Sequence, residues 1–128
     1  MHRLVICVAL LAFVTAGCSN ASPGMIVGPA PEDVANEPPY GPGTEVEKEY
    51  DYLLYVHCGV RWARVDGVWW QTNPLDDRNA NPPAGWGNPY DAGKLKLVDR
   101  NVAVYHGGPG VSVRFERTEL VDTPFACE

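Results

Sequence analysis

The sequence predicts an all-β domain: a small antiparallel meander of about six strands, closed as a barrel or folded as a sandwich, behind an unstructured lead. Three observations predict it. From residue 50 onward, short runs of aromatic and β-branched residues recur, several with strict two-residue alternation. Turn formers separate them: Asp66-Gly67, Asp99-Arg100-Asn101 and Gly107-Gly108-Pro109-Gly110. Helical periodicity is scarce, and no strand–helix alternation of a dinucleotide-binding fold is present.

Composition bounds the rest. The chain has 128 residues, with 13 Gly, 12 Pro and 4 Cys, which leaves room for one domain once leader and linker are set aside. A net charge of −6 argues against a nucleic-acid partner, because phosphate binding wants clustered Lys and Arg. It equally disfavours a purely electrostatic hold on anionic lipid.

Met1-His2-Arg3 is a short basic region, and the apolar run Leu4 to Val14 follows. That run is too short for the roughly twenty residues of a membrane-spanning helix. It has the length of the hydrophobic part of an export signal. Val14-Thr15-Ala16-Gly17-Cys18 resembles the bacterial lipobox, with Thr15 where that family more often has Leu. The resemblance implies cleavage before Cys18, leaving 1–17 as a lipoprotein signal peptide, and a diacylglyceryl group (with an N-acyl chain such as palmitate) on that cysteine. Two acyl chains suffice for stable anchoring, at ~0.8 kcal/mol per buried CH₂. The expected location is the outer side of the plasma membrane, or an outer membrane where the host has one. An ordinary signal peptide cut after Ala16 is the other reading.

Residues 18–49 read as a tether. Pro23, Pro29, Pro31, Pro38, Pro39 and Pro42 alternate with Gly24, Gly28, Gly41 and Gly43, and Glu32, Asp33, Glu37, Glu45, Glu47 and Glu49 face Lys48 alone. Prolines at that density stop helix and sheet from propagating, and like charges keep the segment solvated. Its reach lies between roughly 30 Å as a coil and about 95 Å as polyproline. Packing of part of it on the domain, through Met25-Ile26-Val27, is the alternative.

The β domain is 50–128. Its first strand is Tyr52 to His57. Val60 to Val65 and Val68 to Thr72 flank Asp66-Gly67, a pair that favours a type I′ hairpin. Lys94-Leu95-Lys96-Leu97 alternates polar and apolar, Val102 to His106 follows a turn, and Val111 to Glu116 alternates again. A domain near eighty residues buries little core and is marginal unless stapled. With Cys18 acylated, Cys58 and Cys127 read as one disulfide in an oxidising envelope, closing a loop for which chain entropy gives about 4 kcal/mol. Free thiols or a metal site are the alternatives.

Hairpin register places Arg64 opposite Trp69 and Ala63 opposite Trp70. Trp70 then belongs to the core face, and Trp69 lies over Arg64 as a cation–π pair. The irregular stretch Asn73–Gly93 holds Trp86 and Tyr90. Trp69, Trp86 and Tyr90 are candidates for an exposed ligand-binding platform, against the plainer reading that Trp86 folds back over an open barrel end. Asp77-Arg78-Asn79-Ala80-Asn81 copies the opening of a calcium loop, but Pro82 stands where that loop needs Gly and Asn88 where it needs Glu. No metal site and no cofactor are expected. His57 and His106 lack zinc-site spacing, Ser112 has no nucleophile elbow, and no catalytic residues stand out.

Cys58-Gly59-Val60-Arg61, Asp66-Gly67-Val68-Trp69-Trp70 and Pro82-Pro83-Ala84-Gly85-Trp86-Gly87-Asn88-Pro89 resemble segments of small exported actinobacterial proteins. The resemblance implies an envelope location and carries no activity with it. The expectation is a lipid-anchored, non-catalytic binding or structural module meeting a cell-wall glycan or envelope protein. The alternatives are a small envelope hydrolase and an inhibitor of an extracellular enzyme.

Overall fold

The computed structural model describes residues 26–27, 30–31 and 34–124. Cys18, Cys127, the leader and most of 18–33 lie outside the described residues. Strands β1 (Ile26–Val27) and β2 (Ala30–Pro31) form a two-residue antiparallel ladder. The domain is built from β3 (Glu49–Tyr55), β4 (Val60–Val65), β5 (Val68–Leu75), β6 (Tyr90–Leu97), β7 (Val102–Gly107) and β8 (Val111–Arg117). They form one antiparallel sheet in the order β3-β6-β7-β8-β5-β4. The fold is all-β, and no helix occurs among the described residues.

The expected hairpins are present. Asp66 and Gly67 both have positive φ, 52° and 79°, as a type I′ turn requires, and Val65 pairs with Val68 across it. The 98–101 turn is closed by Val98 N–H donating to the Val102 carbonyl at 2.8 Å. The strands do not follow one another as a simple meander, however. β3-β4-β5 and β6-β7-β8 are two consecutive triplets, and they dock so that β3 pairs with β6 and β5 with β8. Those docking pairs are distant in sequence, so local turn signals do not encode them.

The edges β3 and β4 are consecutive and joined by only four residues, Val56 to Gly59. So short a link forces the sheet to curl until its edges approach. The result is a half-barrel, and the sandwich alternative falls. Alternation then sorts the side chains. Tyr52, Leu54, Ala63, Val65, Trp70, Leu95, Leu97, Ala103, Tyr105, Val113 and Phe115 are buried on the concave face.

No ladder joins β3 to β4 among the described residues. The seam is bridged by side chains: the Tyr52 hydroxyl donates to the Arg64 carbonyl at 2.9 Å. Residues 39–44 strap the same region. Asp66 and Gly67 N–H donate to the Pro39 and Tyr40 carbonyls, each at 2.9 Å. The Tyr40 ring stacks on Tyr52 at 4.7 Å, and its hydroxyl accepts from Leu53 N–H at 2.8 Å. Asp66 accepts in turn from Gly43 N–H at 2.9 Å. The stretch from Val34 that composition assigned to the tether therefore packs on the domain, because one aromatic ring among the prolines fills the seam.

Candidate binding cleft

Three loops meet at one pole of the half-barrel: the link 56–59, the β5–β6 connection 76–89, and the β7–β8 turn 108–110. Trp86 closes this pole. Its ring stacks over Tyr105 at 6.2 Å and lies against Gly108, where an added Cβ would sit 2.7 Å from the indole. Beneath it, buried Asp91 accepts from the Tyr105 hydroxyl at 2.7 Å, from Gly108 N–H at 2.6 Å and from Gly87 N–H at 2.9 Å. Burial pushes the Tyr105 phenol far above its ordinary range, and the Asp91 carboxylate adds to this. Three donors converging on one carboxylate tie the loop, the turn and β7 together.

The aromatic platform expected from Trp69, Trp86 and Tyr90 is not assembled. Trp69 is 0 % exposed, while Trp86 caps the pole over the concave core. The Arg64 guanidinium does lie over the Trp69 ring, 6.0 Å from its centre. The strand alternation that separated Trp69 from Trp70 is correct; the inference that its face is open to solvent is not. Thr118 N–H and hydroxyl donate to the Trp69 carbonyl, and Trp69 N–H donates to the Leu120 carbonyl. The chain beyond β8 thus runs along β5 at this point. Tyr90 packs edge-on against Tyr55 at 5.4 Å, next to His57, whose Nδ1 lies 3.0 Å from Asn88 Oδ1.

The cleft that does form was missed by sequence reasoning. β5 pairs with β8 only at Trp70↔Arg117 and Gln71↔Glu116 and then departs. The cause lies on its other side. Between the pairs Val60↔Leu75 and Trp62↔Gln71, three residues of β5 (Thr72, Asn73 and Pro74) stand against Arg61 alone of β4. This bulge bends β5 away, and Pro74 has no N–H with which to rejoin a ladder. β8 stays paired to β7 as far as Val111.

The separation leaves a cleft of about 610 Å³, lined by Arg61, Trp62, Gln71, Thr72, Ser112 and Arg114 among others. Arg61 is fixed at its upper end, donating to the Cys58 carbonyl and to Asp76, both at 3.1 Å. Arg114 lies 3.7 Å from Glu116 on the same strand face. At the rim, Ser112 Oγ is 2.7 Å from His106 Nδ1.

No cluster of three or more metal-ligating side chains occurs among the described residues. Asp77, which opens the calcium-like stretch, is bonded to its own loop. Asn79 and Asn81 N–H donate to it at 2.7 and 3.1 Å, and these contacts hold its carboxyl below the usual range. No described helix is long and apolar enough to cross a membrane. Comparison with known proteins gives no matching family model, curated protein or solved structure.

Proposed function

We propose that this chain is a lipid-anchored, non-catalytic binding module of the cell envelope, and that the β5–β8 cleft is its binding site. The observation that carries the reading is the cleft itself. Its polar and aromatic side chains stand on paired strands, so they are positioned before any ligand arrives. The lipobox-like residues before Cys18 support export and acylation. The pairing of Cys58 with Cys127 is supported by their being the two cysteines left once the leader is removed and Cys18 is acylated. Partners in reach are cell-wall glycan and envelope proteins.

Two measurements test it. Cys18→Ala should move the protein from the membrane fraction to the soluble one, and continued membrane retention overturns the anchor. Chemical-shift mapping of the full chain with soluble cell-wall glycan fragments and with soluble peptides should place the shifts on Trp62, Gln71 and Arg114. Shifts confined to other surfaces overturn the assignment of the cleft.

A hydrolase is the second reading, favoured by the Ser112–His106 contact. Nucleophilic serine needs a base that is itself oriented by a third group. Among the described residues no carboxylate is hydrogen-bonded to His106. Loss of an esterase activity in Ser112→Ala would support this reading over the first.

A further inference from the structure

We infer that the cleft binds an extended, acidic polypeptide segment by strand addition to β8. This rests on the cleft being the binding site, and it names the class of ligand.

The argument begins with the direction of backbone groups. In an antiparallel strand, successive residues turn their N–H and C=O to opposite neighbours. Arg117 N–H donates to the Asn101 carbonyl, on the β7 side, and Thr118 N–H donates to the Trp69 carbonyl, on the β5 side. Counting back by twos, Val113 and Phe115 turn their groups to β7, while Ser112, Arg114 and Glu116 turn theirs to β5. Glu116 meets Gln71 there. Ser112 and Arg114 meet no β5 residue, because the ladder has ended. Two donors and two acceptors, spaced as in a strand edge, therefore face the cleft.

An edge of this kind is a template for another strand. A sugar ring gains little from evenly spaced main-chain groups, whereas an extended backbone matches them all. The stretch Val111–Phe115 would seat about five residues, ~16 Å at the strand rise. The cleft volume of about 610 Å³ leaves room for side chains that alternate between the concave side and the rim.

Charge selects further. Of the two cations lining the cleft, Arg61 is already paired with Asp76 at 3.1 Å, which leaves Arg114 as the more loosely held one. A carboxylate on the incoming segment would complement Arg114, whose contact to Glu116 is a long 3.7 Å. Trp62 offers a half-buried indole to an apolar neighbour.

The test uses the full chain and a random octapeptide display library, followed by amide hydrogen exchange with the selected peptides. Enriched peptides should carry a carboxylate and slow exchange at Ser112 and Arg114 at least tenfold. Val113 and Phe115, already bonded to β7, should change little. Methylating alternate peptide nitrogens should abolish binding. Arg114→Glu, a surface change that leaves the fold intact, should weaken acidic peptides at least tenfold.

Peptides that bind in the cleft without protecting Ser112 and Arg114 overturn strand addition but leave the cleft as the binding site. Glycan fragments that shift the cleft residues while no peptide is enriched overturn the polypeptide assignment and keep the binding module. If neither probe perturbs the cleft, both readings fall.

Discussion

The Tyr105 hydroxyl shares its one proton between the Asp91 carboxylate at 2.7 Å and the Asp91 carbonyl at 2.9 Å, so a single phenol bridges the side chain and backbone of a buried acidic residue. Asp91 sits at the second position of β6, and Tyr105 near the end of β7. The contact fixes where the loop carrying Trp86 meets the sheet. Removing the carboxylate with Asp91→Ala leaves Gly87 and Gly108 N–H without their acceptor, while the Tyr105 hydroxyl keeps the backbone carbonyl of residue 91. Each of these two lost partners costs about 1–3 kcal/mol, so the variant should lose about 2 kcal/mol or more. Urea denaturation followed by tryptophan emission measures it, and a loss below about 1 kcal/mol would contradict this account.

Gly108 has φ 52° and faces the Trp86 indole. Gly108→Ala combines a left-handed backbone with a clash against the ring. It should destabilise by at least ~1 kcal/mol, and more if Trp86 cannot shift. Trp86→Ala in the same background removes the clash, so the glycine substitution should then cost clearly less. Additive effects in that double-mutant cycle would show that the ring and the turn are not in contact.

Tyr40 tests the strap. Tyr40→Phe keeps the stacking on Tyr52 but removes the acceptor of Leu53 N–H, at a cost of about 1 kcal/mol. Tyr40→Ala empties the seam and should cost about 3 kcal/mol. Equal costs for the two would mean that the ring contributes no packing.

The buried phenols give stability a defined pH dependence. Tyr52, Tyr105 and Tyr40 all have their pKa raised, first by desolvation. A raised folded-state pKa means the native state holds its proton where the unfolded chain, near pH 10, has released it. Stability is therefore full below about pH 10 and falls above it, by up to ~1.4 kcal/mol per pH unit for each such tyrosine. Unfolding midpoints measured across that range should fall together with the appearance of tyrosinate absorbance. Tyrosinate appearing while the fold is retained would contradict the burial.

How much of this was legible in the sequence depended on the range of the signal. The Asp66-Gly67 turn is a local demand for two positive φ angles, and it correctly aligned Arg64 with Trp69. Val111 to Glu116 revealed its inner face by alternation alone. The burial of Trp69 was not legible, since alternation specifies which side of a sheet a residue faces and not what lies over it. Tyr40 was hidden by its prolines. The cleft was hidden most deeply: it depends on three β5 residues standing against one on β4, a mismatch visible only once the strands are paired.

The first and last strands of the six-stranded sheet have their outer ends at one pole. The sheet begins at Glu49, the start of β3, and ends at Arg117, the end of β8, both at the pole of the Asp66-Gly67 turn. Leu75 and Ser112, at the far ends of β5 and β8, mark the other end, where the cleft opens. The cleft therefore opens at the pole opposite the one where the sheet begins and ends.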